Sequence, residues 1–373
     1  MTPYYQDDSV TLHHGDALDV AMALPDGAAD CIVTSPPYFG LRDYGVPPRC
    51  WPEVSYVPMS GVPPIKVPAM TCALGLEPTP NAYIGHLVLL FSELRRVLAD
   101  DGSLWVNLGD SYSFGSTPLH NTNAPNKNRD GSRDNASEAI GASLAARKQN
   151  SGLPAKNLIG VPWRVAFALQ GDGWFLRNDN IWNKPNPMPE SVNDRFSSKH
   201  EHVFMLTKSR RYWFDLDAVR EQYVTTRASA LTWDRDEQGV PGQKPQHRPG
   251  RAGRPEATPP GNSPQTNFGP TGQRNGAFHE RGRNPGDVWT IPTQPFPDAH
   301  FAAMAPKLAH RCIAAGCKPG GTVLDPFSGS GTTGMVAQRL GRKYIGIDLN
   351  AEYLELSLRT RLHARPLDFE AGA

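Results

Sequence analysis

One stretch, Thr322-Val323-Leu324-Asp325-Pro326-Phe327-Ser328-Gly329-Ser330-Gly331-Thr332-Thr333-Gly334, limits what this chain can fold into more than any other. Thr322 to Asp325 reads as a short buried strand. Gly329 and Gly331 mark a turn whose backbone a ligand can approach closely. A helix follows to about Leu340, and Tyr344-Ile345-Gly346-Ile347-Asp348 is a second strand that ends in an acid. Strand, glycine-rich turn, helix and acid-terminated strand together follow the logic of a nucleotide-binding βαβ unit. Asp348 lies 23 residues beyond Asp325, near the spacing of about 20 at which an acid meets ribose hydroxyls. The glycine spacing is not G-x-G-x-x-G, which argues against a simple dinucleotide site. No Gly-Lys-Ser/Thr follows, so it is not a P-loop.

A second stretch, Thr34-Ser35-Pro36-Pro37-Tyr38, follows the apolar run Ala29-Asp30-Cys31-Ile32-Val33. Two prolines fix φ and remove two backbone donors, and each pushes the residue before it toward extended geometry. A stiff loop at a strand end leaves carbonyl oxygens to accept hydrogen bonds from a partner. It also holds one hydroxyl, Ser35, beside one aromatic face, Tyr38. Acceptors beside an aromatic plate suit a flat ring with an exocyclic NH2, which is what a flipped-out nucleobase offers. A strand followed by a Pro-Pro turn with an incidental tyrosine is the plainer alternative.

The rest of the chain alternates helix and strand signals, with loop-rich interruptions. Val10-Thr11-Leu12 is a short strand running into His13-His14-Gly15-Asp16, where Asp16 serves either as a helix N-cap or as an exposed carboxylate at a strand end. Residues 17–24 form a short helix. Phe39 to Pro80 has no helical period and reads as a long surface loop. Asn81 to Leu98 is an amphipathic helix stopped by Asp100-Asp101-Gly102, and Ser103 to Leu108 is the next strand, an α/β crossover. Leu158 to Gln170 is a second amphipathic helix. Trp174 to Leu176, Asn180 to Trp182, His202 to Thr207 and Tyr212 to Phe214 read as strands. Phe301 to Cys317 and Asn350 to Arg361 read as helices. Residues 111–155 and 225–285 are low in apolar residues. The second is moderately basic, and it is either a solvated linker or a DNA-contacting segment that orders on binding.

Composition excludes more than it asserts. Lysine and arginine number 38 against 37 acids, a net charge of +1, so any argument for a polyanion partner must be local. Cys31, Cys50, Cys72, Cys312 and Cys317 form no CxxC pair, which suggests neither a disulfide framework nor a zinc site. No apolar run approaches the roughly 20 residues that span a bilayer, and the expected compartment is the cytoplasm.

Taken together, the two motifs resemble an amino-group DNA methyltransferase of the β arrangement, in which the target-base motif precedes the cofactor motif. Trp182-Asn183-Lys184-Pro185-Asn186-Pro187-Met188-Pro189, Arg195, His200-Glu201-His202, Gly286-Asp287-Val288-Trp289 and His300-Phe301-Ala302 also resemble the family. The resemblance implies a Rossmann-like α/β fold with a mixed seven-stranded sheet, a circularly permuted motif order and loop-rich insertions at 45–80 and 111–155. It divides the chain into a catalytic half, 1–224, a basic segment at 225–285 that reads the target, and a cofactor half, 286–373. It implies S-adenosylmethionine as cofactor and no metal. The methionine part would sit over Phe327 to Thr332, with Asp325, Phe327, Gly329, Gly331 and Thr332 around it. Asp348 would meet the ribose, Asp16 would lie near the adenine, and His300 and Phe301 would touch the methionine end. Double-stranded DNA with a flipped base is the implied partner; a homodimer and a cognate restriction endonuclease are further partners the resemblance allows.

The implied chemistry uses Ser35, Pro36, Pro37 and Tyr38. The lone pair of an aromatic amine is delocalised into its ring, so acceptors aimed at its two hydrogens favour the more nucleophilic form. The Ser35 hydroxyl and the Pro36 carbonyl take that role, and Tyr38 stacks on the base. None of the five cysteines follows a proline, so a C5-cytosine enzyme is rejected. Serine rather than aspartate at 35 resembles the cytosine-N4 subgroup. Adenine N6, a catalytically inactive DNA-binding relative and a methyltransferase acting on protein or RNA are the alternatives.

Overall fold

The computed structural model describes residues 2–113, 150–223, 281–294 and 304–362. They comprise β1 (Tyr5–Gln6), β2 (Val10–His14), α1 (Ala17–Ala23), β3 (Ala29–Thr34), β4 (Arg49–Trp51), β5 (Val54–Tyr56), β6 (Ile65–Val67), β7 (Met70–Cys72) and α2 (Pro80–Val97). Then follow β8 (Leu98–Leu108), α3 (Val161–Gly171), β9 (Phe175–Asn183), β10 (His200–Thr207) and β11 (Val288–Thr290). The chain closes with α4 (Pro306–Gly316), β12 (Thr322–Asp325), α5 (Thr332–Arg339), β13 (Lys343–Asp348) and α6 (Ala351–Ser357). It divides into two compact units, Met1–Ala218 with Gly286–Ala373, and Val219–Pro285. In the second, most of which lies outside the described residues, Glu221 and Arg283 exchange backbone hydrogen bonds.

Nine strands form one sheet in the order β1-β2-β13-β12-β3-β8-β10-β9-β11. The expected seven are its centre, from β2 to β9; the two-residue β1 and three-residue β11 extend its edges. From β2 to β8 all neighbours are parallel, and β10 runs antiparallel to both β8 and β9. β3, β12 and the second half of β8 are buried along most of their length, as expected where both faces of a parallel sheet are covered. β12 leads through α5 to its neighbour β13 on one side, whereas β3 leads through α2 to β8 on the other. The direction of winding therefore reverses between β12 and β3, and an open α/β sheet binds ligands outside the carboxyl ends of its strands at such a reversal.

α2 is the main buttress. Thr79 caps it by accepting from the Ala82 amide, and Pro80 occupies the first turn, where its missing donor costs nothing. Tyr83, Leu87, Phe91 and Leu94 are fully buried in the core cluster. Burial of such a side chain contributes about 1.5–3 kcal/mol.

Three sequence expectations need correction. Residues 39–80 are not a plain loop: β4 pairs with β7 and β5 with β6, both antiparallel. These strands are three residues long, too short for periodicity to register, and they are fixed by burying Trp51, Val54, Tyr56 and Val67. Asp100-Asp101-Gly102 is not a turn but part of β8, which starts directly after α2. The extra residues are absorbed as a register shift, Ala29 facing Leu98 and Cys31 facing Ser103. Tyr212 to Phe214 is not a strand; its aromatics are half-exposed, and the Trp213 amide bonds the Asp101 carbonyl instead.

Leu94→Ala should cost about 2–5 kcal/mol, read as a lower urea midpoint at unchanged slope. A change under 0.5 kcal/mol, about the scatter of surface substitutions, would show that α2 does not anchor the core.

Candidate active site

Because β3, β8, β12, β13 and β2 are parallel, their carboxyl ends lie along one edge of the sheet. Thr34, Asp325, Asp348 and His14 end their strands there. β10 is antiparallel, with His202 opposite Leu108, so its beginning, including Glu201, lies at the same edge, as does Lys184 after β9. Seven distant segments thus converge on one rim.

At the reversal, the Asp325 carboxylate accepts hydrogen bonds from the Thr34 hydroxyl at 2.8 Å, the Thr333 hydroxyl at 2.7 Å and the Phe327 amide at 3.1 Å. It joins the strand before the Pro-Pro loop, the glycine loop and helix α5. Burial pushes its carboxyl up to about 6, against the opposing pull of those three donors. Gly331 has φ of +75° and opens α5, and a Cβ there would lie 2.7 Å from the Ser357 Cβ. Asp348 accepts from the Gly329 amide at 2.7 Å and the Asn350 amide at 2.8 Å; burial raises its carboxyl above the ordinary carboxylate value. Asp16 caps α1 through the Leu18 and Asp19 amides and pairs with Arg49. His300 and Phe301 lie outside the described residues.

The Pro-Pro loop is held from behind. Tyr83 donates its hydroxyl to the Pro37 carbonyl at 2.8 Å, and the Gly40 amide donates to the Gly75 carbonyl at 2.9 Å. The Pro36 carbonyl receives no hydrogen bond among the described residues. Below the loop, buried His86 and Glu77 bond at 2.9 Å, Glu77 also takes the Gly75 amide at 2.8 Å, and Trp51 stacks on His86 at 4.2 Å. Cys72 offers its sulfur within 4.8 Å of that pair. The carboxylate's bonds to His86 and Gly75 make this a brace for the loop.

Sequence reasoning missed a polar network around Tyr38. The Tyr38 hydroxyl donates to Glu201 Oε2 at 2.8 Å and receives the Ser35 hydroxyl at 3.3 Å. Asn107 Nδ2 donates to the Tyr38 oxygen at 2.6 Å and to Glu201 Oε2 at 2.8 Å. Lys184 pairs with Glu201 Oε1 and lies over the Trp182 ring. Burial, reinforced by Glu201, raises the Tyr38 phenol well above its ordinary value, so it stays protonated. Gly109 admits the ring: a Cβ there would lie 2.7 Å from Tyr38 Cε2. One signal was available, since Asn107 is a lone amide in the apolar run Leu104 to Leu108. Glu201 and Lys184 stood within the family-like stretches, but nothing in the sequence paired them with Tyr38.

The family described as DNA methylase, covering N6 and N4 methyltransferases, matches residues 29–359. The chain belongs to this DNA methylase family. It is 40% identical to the Type II methyltransferase M.Cfr9I of Citrobacter freundii over 94% of this chain and 87% of that protein. It is 37% identical to the Type II methyltransferase M.SmaI of Serratia marcescens over 94% of this chain and 90% of that one. The fold resembles the solved PvuII DNA methyltransferase, described as cytosine-N4-specific, with a TM-score of 0.55 at 18% identity over 99% and 90% of the two chains. The protein is therefore a DNA methyltransferase, and its family uses S-adenosylmethionine. The residues fit that cofactor. A Cβ built on Gly329 would meet only the Phe327 carbonyl at 3.9 Å, so the loop faces open space. The Asp348 carboxylate, with about four acceptor sites, has room beyond its two amide bonds. Among the described residues no helix is long and apolar enough to cross a membrane. A cavity of about 440 Å³ lined by Ser9, Arg339, Arg342 and Lys343 lies by the amino-terminal starts of β2 and β13, away from this rim.

Because the Asp325 carboxyl is raised from 3.8 to about 6, the folded state holds its proton more tightly than the unfolded state. Its contribution to stability is fully present below the unfolded value and is lost as pH rises to about 6. Relative to Asp325→Asn, the native protein should lose about 2 kcal/mol between pH 4 and pH 6, out of roughly 3 kcal/mol across the whole titration. Parallel stability curves for the two proteins would contradict this.

Proposed function

We propose that this methyltransferase modifies the exocyclic N4 of cytosine in double-stranded DNA, with the target base flipped out of the helix. The observation that carries this reading is that, next to Ser35, whose hydroxyl bonds Tyr38, stands a Pro36 carbonyl that takes no hydrogen bond among the described residues. Both stand at the strand end that Asp325 ties to the cofactor loop. Two acceptors on the amine hydrogens draw the nitrogen toward its pyramidal form. Serine at 35 supports cytosine over adenine, and the cytosine-N4 description of the fold neighbour agrees with it.

The loop from Phe327 to Thr332 would hold the cofactor, which would supply an electrophilic methyl group on a sulfonium centre. Asp348 would hold the ribose and Asp16 would lie by the adenine; His300 and Phe301, expected at the methionine end, lie outside the described residues. Asp325 acts from beneath, fixing the loop that Gly329 and Gly331 shape. Tyr38 would offer a ring face to the base, in a place that the missing side chain of Gly109 leaves open. The segment 225–285 reads the target sequence, and the Type II names of the relatives support a role as the protecting half of a restriction-modification pair.

Two measurements test the reading. Asp348→Ala should weaken S-adenosylmethionine at least about tenfold, the lower end for one hydrogen bond to a charged group; calorimetry showing unchanged affinity would remove the ribose assignment. Mass spectrometry of nucleosides from DNA methylated by the native protein should show N4-methylcytosine, and Ser35→Ala should lower kcat more than it raises KM. N6-methyladenine as the sole product would overturn the choice of base.

A further inference from the structure

We propose that Ser35, Tyr38 and Glu201 form a proton relay that drains the proton released by the target amine, with Glu201 as the terminal acceptor. The proposal rests on the assignment of Ser35 to the amine and extends it to a residue that touches neither base nor cofactor.

The geometry is a directed chain of donors. Ser35 Oγ donates to the Tyr38 hydroxyl at 3.3 Å, and that hydroxyl donates to Glu201 Oε2 at 2.8 Å. The chain ends on the one group of the three that is a carboxylate. Lys184 takes the other oxygen, Oε1, and so turns Oε2 toward the phenol. Asn107 Nδ2 bridges the phenol oxygen and Oε2, fixing their separation. Lys184 and Glu201 expose only 17% of their side chains each, so access of bulk water to the acceptor is restricted. If the network served only to hold the Tyr38 ring, the bond from Ser35 would be unnecessary, since Asn107, Gly109 and Glu201 already fix the ring.

The step balances. The amine nitrogen forms a bond to the donor methyl carbon as the carbon–sulfur bond breaks, its electron pair going to sulfur. The nitrogen, which would otherwise become cationic and strongly acidic, passes one proton to Ser35 Oγ. Ser35 passes its own proton to the Tyr38 oxygen, and Tyr38 passes its own to Glu201 Oε2. The products are a neutral methylated amine, a thioether and a protonated Glu201, which returns its proton to water when the product leaves. Tyr38 never ionises, in keeping with its raised phenol. An amine whose pair belongs to an aromatic ring is so acidic once methylated that a carboxylate already held by lysine is base enough.

Two conservative variants separate the relay from a structural role. Glu201→Gln keeps an oxygen for the Tyr38 bond but cannot take the proton, and Tyr38→Phe keeps the ring but breaks the chain. Each should slow single-turnover methyl transfer roughly 100-fold, with DNA and cofactor affinities within about twofold of native. The double variant should be no slower than the slower single one, because one chain is broken once. Deuterated solvent should slow native single turnover and leave both variants unaffected. In the cofactor-free protein, a downfield proton resonance from the Tyr38–Glu201 bond should vanish in Tyr38→Phe. A native single-turnover rate in either variant would overturn the relay, as would affinity losses that account for the slower rate. With Ser35→Ala slow and Glu201→Gln at full rate, the relay falls and the assignment of Ser35 to the amine stands; Ser35→Ala at full rate removes both.

Discussion

The Asp325 carboxylate is the joint on which the site depends. It is buried where the sheet reverses its winding, and it accepts from Thr34, Thr333 and Phe327. Two hydroxyls and an amide offset much of the cost of removing a charge from water. The result is that the strand leading to Ser35 and the loop leading to Gly329 cannot move independently. A transfer reaction needs its two reacting atoms held in register within fractions of an ångström, and this contact couples the two elements proposed to hold them.

Around that joint the chain builds two supports of different character. The rear of the Pro-Pro loop is held by buried contacts: the Tyr83 hydroxyl on the Pro37 carbonyl, and the Glu77–His86 pair under Trp51. The front is held by charged and polar groups, Glu201, Lys184 and Asn107, arranged about Tyr38. The insertion at 45–80 therefore braces the Pro-Pro loop, because β4 carries Trp51 and the turn after β7 carries Gly75 and Glu77.

Much of the site was legible because its backbone requirements are local. The Gly329-Ser330-Gly331 turn must be glycine-rich to make its conformation, and Pro36-Pro37 stiffens its loop wherever the sheet places it. Asp16 shows the limit of such reading. It is the N-cap of α1, as its spacing allows, and it also meets Arg49, a pairing no spacing announces. Glu201 shows the same limit more sharply, since it reaches Tyr38 across 163 residues.

The sequence by itself determined the parallel α/β core, the nucleotide-type βαβ unit from Thr322 to Asp348 and the order of the two motifs, since period, glycine position and strand-end acids are short-range properties. Only the tertiary structure decided that Asp325 would bind Thr34, that β4 to β7 would order the 45–80 insertion, and that Asn107, Lys184 and Glu201 would surround one phenol. Those contacts depend on which strands become neighbours, and strand order is set by the whole packed sheet: β10 must lie antiparallel beside β8 before Glu201 can face Tyr38.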